Sequence, residues 1–163
     1  MNTLEEIRDS DFDSVLRINS AGHPGIAGLS RDEIVHLRQL ATMFSVLRER
    51  DTCVGYVIAY DRSKPYDGEE FIWFKGNLSE EFLYIDQIAI DQDSRGTGLG
   101  TKIYAALKGF AARRNFVSLV CEVNIEPPNP VSFSFHTKNG FKEIDRLKVS
   151  DGRFVSLMKA QLQ

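Results

Sequence analysis

Six consecutive residues, Arg95-Gly96-Thr97-Gly98-Leu99-Gly100, carry the sharpest chemical signal in the chain. Glycine at alternate positions leaves the backbone bare, so an anion can come close to its N–H groups. The residues open an amphipathic stretch, Gly98 to Arg114, in which Leu99, Ile103, Ala106, Leu107 and Phe110 recur at helical spacing. A helix starting there turns unpaired amides and the positive end of its dipole toward the same spot. The chemistry this suits is the holding of a phosphate or pyrophosphate; the same glycines also suit a tight strand-to-helix turn with no ligand. Other phosphate loops do not fit by spacing. A Walker loop needs Gly, four residues, then Gly-Lys-Ser/Thr, which Gly100-Thr101-Lys102 does not supply. The dinucleotide fingerprint needs a two-residue spacer before its last Gly and an early place in the chain.

The elements that must position this loop can be read from periodicity. Leu4 to Arg8 reads as a short strand, and Asp9-Ser10-Asp11 opens a helix carrying Phe12, Val15, Leu16 and Ile18. Asn19 to Leu29, with Gly22, Pro24, Gly25 and Gly28, reads as a loop. Ser30 and Glu33 form a capping box before a second helix with Ile34, Leu37 and Leu40. Met43 to Arg48 and Cys53 to Tyr60 are two strands of a hairpin. Ser63 to Glu81 reads as a long connection, with Tyr66, Phe71, Trp73 and Phe74 as candidates for an aromatic wall or for core packing. Phe82 to Ile90 is a nearly continuous apolar run, as in a strand buried on both faces. Phe116 to Val123 is another strand, and strand, helix, strand implies a right-handed parallel crossover. Asn129 and Pro130 read as N-cap and first residue of a helix that stops at Asn139-Gly140. Phe141 to Val149 and Arg153 to Lys159 close the chain as a hairpin, whose exposed edges offer a second copy a place to pair, as a homodimer.

Composition bounds the partners. The 163 residues suffice for one domain with its own core, and 42% hydrophobic with 26% charged residues is ordinary for a globular chain. Twenty Lys and Arg against 23 Asp and Glu leave a formal charge of −3, which argues against nucleic acid as partner but not against a small anion. No run approaches the ~20 apolar residues of a membrane span. The acidic start, Met1 to Glu6, has no signal-peptide pattern, so a cytoplasmic location and no membrane partner are expected. Cys53 and Cys121 are too few for a disulfide framework or a metal site, and both sit in apolar runs, as reduced core thiols do.

At Arg95, Gly98 and Gly100 the chain resembles the GCN5-related N-acetyltransferases (GNAT), whose acetyl-CoA motif is Gln or Arg, two residues, Gly, one residue, Gly or Ala. The apolar strand Ile88-Ala89-Ile90 matches the strand that enters this loop. Asn129, Ser132 and His136-Thr137-Lys138-Asn139-Gly140-Phe141 resemble the later motif of the family. The element order agrees over residues 1–163, read as a single N-acetyltransferase domain. The resemblance implies an α+β (mixed α/β) fold: a mixed, mostly antiparallel sheet of about seven strands, a splayed parallel pair, and helices on both faces.

The resemblance also implies a site. Acetyl-CoA, the co-substrate, would lie where the strands ending at Ile90 and near Val123 part, with no metal. The backbone of Ile88, Ala89 and Ile90 would face pantetheine and thioester, Arg95, Gly96, Thr97, Gly98, Leu99 and Gly100 would hold the pyrophosphate, Thr101 would add a hydroxyl, and Asn129 would touch the pantetheine arm. His136 stands where the family commonly has a Tyr that protonates the CoA thiolate; either its imidazolium does so or the ring only packs there. A primary amine titrates near ~10.4, so the acceptor also needs a base. Tyr84 and Asp86 share a face of the strand, and Asp86 is the better carboxylate candidate, with a structural ion pair or a substrate-positioning role as its alternative. His23 and His36 read as surface residues. The expected function is acetyl transfer from acetyl-CoA to an amine of an unidentified acceptor by direct attack in a ternary complex. A non-catalytic acyl-CoA binding or sensing module on the same fold is the alternative.

Overall fold

Twelve elements follow one another in the computed structural model, which describes residues 3–23 and 25–162; Pro24 of the expected loop, like Met1, Asn2 and Gln163, lies outside the described residues. They are β1 (Leu4–Glu6), α1 (Phe12–Gly22), α2 (Arg31–Leu40), β2 (Met43–Glu49), β3 (Thr52–Asp61), α3 (Glu69–Asn77), β4 (Phe82–Ile90), α4 (Leu99–Arg113), β5 (Ser118–Glu126), α5 (Pro130–Lys138), β6 (Lys142–Lys148) and β7 (Phe154–Gln161). The strands form one seven-stranded sheet in the order β1-β2-β3-β4-β5-β7-β6. β4 and β5 pair in parallel, Phe82 opposite Ser118 through Tyr84 opposite Val120, whereas β1–β2, β2–β3, β5–β7 and β6–β7 are antiparallel. A parallel pair needs a crossover, and α4 is that connection. This is the mixed, mostly antiparallel sheet that the resemblance implied. No described helix is long and apolar enough to cross a membrane.

The chain forms two compact units, Met1–Tyr60 with Ile85–Leu107, and Asp61–Tyr84 with Lys108–Gln163. In the first, Phe12, Val15 and Ile18 of α1, Ile34 of α2, Val46 of β2, Val57 of β3, and Ile103 and Leu107 of α4 are buried. The Ser30–Glu33 capping box forms as its spacing requires: Ser30 Oγ accepts from Glu33 N at 3.1 Å, and Glu33 returns a bond to Ser30 N. Arg48 holds the buried Asp11 with two bonds of 2.5 and 2.6 Å, a bidentate geometry that fixes the start of α1 on β2. α1 continues to Gly22, so Asn19 to Gly22 are helical rather than loop.

The second unit holds the largest departure from the sequence reading. Residues 63–81 are not a bare connection, because α3 occupies Glu69–Asn77. Phe71 and Phe74, three apart on one helical face, are fully buried. They pack on Phe82 and Tyr84 with ring centroids 5.5–6.2 Å apart. Core packing therefore claims two of the four aromatics offered as an acceptor wall, while Trp73 and Tyr66 are half-buried. β7 lies between β5 and β6, so only β6 of the closing hairpin presents an edge.

One glycine is fixed by space. A Cβ on Gly55 of β3 would meet the Ala89 carbonyl and Ile90 Cδ1, both at 2.9 Å. Gly55→Ala must push the end of β4 away and should cost about 1–3 kcal/mol through overpacking, read as a lower denaturant midpoint at unchanged m-value.

Candidate active site

In the first unit, β4 ends at Ile90 and the chain turns through the 3-10 turn Gln92–Ser94 into the glycine loop. Gly96 and Gly98 have φ of +76° and +82°, a left-handed region that side chains avoid. A Cβ on either would meet nothing within 4 Å, so both backbone faces are open. The helical ladder of α4 begins with Lys102 N donating to Gly98 O at 3.1 Å, so the amides of Leu99, Gly100 and Thr101 precede its first bond. Arg95, Gly96, Thr97 and Gly98 are exposed, as is Thr101, whereas Leu99 is buried and anchors the loop. Thr97 Oγ1 donates to Ser94 O at 2.6 Å, and Arg95 Nε donates to Ile90 O at 3.3 Å. The result is an open cradle of backbone donors at a helix start, with one guanidinium beside it. That donor set fits a pyrophosphate. Ile88 and Ile90 are half-buried and Ala89 is buried, on the strand that leads into the cradle.

Behind β4, the same unit buries a polar network that sequence reasoning missed. Asn19 Nδ2 donates to Ala27 O (2.9 Å), Tyr56 Oη (3.0 Å) and Gln87 Oε1 (3.2 Å), and Asn19 Oδ1 accepts from Leu29 N (2.9 Å). Tyr56 Oη donates to Gln87 Oε1 at 2.7 Å, and Gln87 Nε2 donates to Ala27 O at 3.1 Å. Asn19 of α1 and Gln87 of β4 thereby bond the backbone of the irregular segment after α1, and Tyr56 of β3 ties the two side chains together. Burial holds the Tyr56 phenol well above its ordinary value, so it stays a donor. A cavity of about 570 Å³, lined by residues including Asn19, His23, Ser30 and Glu33, opens beside this segment. His23 and His36 are exposed, and Asp86 of β4 is half-buried.

The second unit holds Tyr84, Asn129 and His136. Tyr84 is 1% exposed and donates from its hydroxyl to Glu122 Oε1 of β5 at 2.9 Å. Glu122 was not singled out from the sequence, though a lone carboxylate in the run Val120-Cys121-Glu122-Val123 was a readable signal. Asn129 caps α5 as expected, its Oδ1 accepting from Ser132 N at 3.3 Å. His136 is buried between the rings of Phe135 and Phe141, both edge-on at 5.3 Å. Its Nδ1 lies 2.8 Å from Ser132 O, and since a carbonyl only accepts, Nδ1 carries the proton. Burial depresses the His136 pKa, outweighing the opposing hydrogen bond to Ser132. The ring is therefore neutral near pH 7, and Nε2 then bears a lone pair rather than a proton. These surroundings disfavour the imidazolium form near pH 7, and the ring packs between Phe135 and Phe141. Both cysteines are free and buried, and burial raises both thiols. No cluster of three or more His, Cys, Asp or Glu that could hold a metal occurs among the described residues.

Comparison with known proteins turns this geometry into a family. The model of the acetyltransferase (GNAT) family matches residues 5–141, and the chain belongs to that family. It is an acetyltransferase by fold and by lineage. Ard1 from Thermoplasma volcanium superposes with a TM-score of 0.79 at 20% identity, covering 99% of this chain and 98% of that one. YncA, a putative acetyltransferase from Salmonella typhimurium solved with acetyl-CoA, gives 0.72 at 17% identity over 100% and 95%. Naa50 from Arabidopsis thaliana, in complex with the bisubstrate analogue CoA-Ac-MVNAL, gives 0.71 at 15% over 99% of each chain. At these identities the likeness speaks for the fold. No curated protein sequence matches the chain.

The depressed His136 pKa has a stability consequence with a fixed sign. Above the ordinary value of 6.5 the ring is neutral in folded and unfolded chains alike. Below it the unfolded chain takes up a proton that the folded one resists, so stability falls as pH drops toward the depressed value. Urea midpoints at about pH 7.5 and 5.5 should fall less in His136→Gln than in the wild type.

Proposed function

We propose that this chain transfers the acetyl group of acetyl-CoA to an amine by direct attack in a ternary complex, as a single catalytic domain over residues 1–163. One observation carries the reading: Gly96 and Gly98 hold a left-handed, side-chain-free turn beside the exposed Arg95, directly ahead of the α4 amides that precede the first helical hydrogen bond. Acetyl-CoA supplies an activated thioester when bound. Gly96 to Thr101 would hold its pyrophosphate through backbone N–H groups, and Ile88 to Ile90 would offer backbone to the pantetheine.

The Tyr84–Glu122 hydrogen bond supports these two residues as the route for the amine proton. The Tyr84 oxygen accepts it while the phenol's own proton passes to the Glu122 carboxylate, so charge ends on neither the acceptor nor the phenol. Asp86 is the competing base. Glu122→Gln and Tyr84→Phe should each lower kcat by about 10²-fold with little change in KM for acetyl-CoA. A comparable loss confined to Asp86→Asn would move the role to Asp86.

The acceptor is sought with a CoA-release assay across small amines, amino acids and peptide amino termini; the peptide analogue in the Naa50 structure is the reason to include the last. Gly98→Glu, which puts an anionic side chain into the cradle, should abolish acetyl-CoA binding in calorimetry; retained affinity overturns the loop assignment. The neutral, buried His136 at the position commonly held by an acidic Tyr favours a second reading, an acyl-CoA sensor. Tight acetyl-CoA binding with no turnover of any amine would establish it.

A further inference from the structure

The glycine cradle has a charge problem that the proposed function does not address. Its approach, Asp91-Gln92-Asp93-Ser94-Arg95, carries two carboxylates and one guanidinium, although the ligand it is read to hold is an anion. Asp91 is also the joint of the turn. Its N–H donates to Val54 O at 2.8 Å, its carbonyl accepts from Ser94 N at 2.9 Å, and Oδ1 accepts from Asp93 N at 3.3 Å. The remaining oxygen, Oδ2, meets Arg17 Nη2 of α1 at 2.8 Å. The Asp91 side chain is only 13% exposed, so its charge is poorly screened by water.

Resting on the acetyl-CoA reading above, we infer that Arg17 is a positioning residue for cofactor binding: by pairing with Asp91 it cancels the carboxylate at the cradle's entrance and leaves Arg95 to the pyrophosphate. Without Arg17, Asp91 repels a diphosphate and draws Arg95 toward itself. The pairing acts on the Asp91 charge, since the Arg17 hydrogen bond is the main reason that Asp91 titrates below its ordinary value, with smaller contributions from the Asp93 N–H and from Arg95. Arg17 is 56% exposed, so replacing it removes charge without opening the core. The same helix carries Asn19, two residues on, which fixes Ala27 and Leu29. α1 thereby anchors both the cradle's joint and the segment that follows it.

The test is calorimetric titration of the whole chain with CoA. Arg17→Met should weaken CoA binding about fivefold at low salt. The gap should close near 1 M salt, where the screening length is about 3 Å. Asp91→Asn, which keeps the cap oxygen and removes the charge, should restore affinity in the Arg17→Met background. A merely structural ion pair predicts otherwise: the double variant would bind no better than Arg17→Met, and salt would not close the gap. Either of those results overturns the inference, as does wild-type affinity in Arg17→Met. Failure of the wild type itself to bind CoA would instead overturn the acetyl-CoA reading.

Discussion

A backbone that is to bind an anion must keep donors unpaired, and a folded chain tolerates unpaired donors only where solvent or ligand reaches them. The left-handed residues Gly96 and Gly98 meet this constraint by turning the chain from β4 into α4 without a side chain over the opening. Much of the first unit serves that turn. Gly55 lets β3 come within contact of Ala89, Leu99 anchors the first turn of α4 in the core, and Asp91 ties the chain to Val54 as it leaves the strand.

Several polar groups of the interior are placed where they close a gap in hydrogen bonding. Asn19, Tyr56 and Gln87 complete the irregular segment after α1. The Ser132 carbonyl fixes one tautomer of His136, and Glu122 holds the Tyr84 phenol. The difference between these groups is chemical. His136 is kept neutral by apolar surroundings, whereas the Tyr84 hydroxyl has a carboxylate as its hydrogen-bond acceptor.

Much of this was legible in the sequence because local chemistry decided it. Ser30 with Glu33, and Asn129 with Pro130, name their own helix starts, and the uninterrupted apolar run of β4 names a buried strand. α3 was not legible: Phe71-Ile72-Trp73-Phe74 is a run of residues with weak helix propensity behind an N-cap, Gly68, that makes no side-chain bond. Its helicity comes from packing Phe71 and Phe74 on β4, a tertiary effect. The cradle could be read because its residues are adjacent. The Tyr84–Glu122 pair spans 38 positions, and only the parallel register of β4 and β5 brings the two together.

The buried thiols have a practical meaning. Cys53 and Cys121 are 3% and 2% exposed, and desolvation keeps both protonated well past neutral pH. A thiolate is what attacks electrophilic dyes and oxidants, so the folded chain is nearly silent toward them. Any fast-reacting thiol that grows during a reaction with acetyl-CoA is then the released product, and the protein supplies its own dark background for watching it.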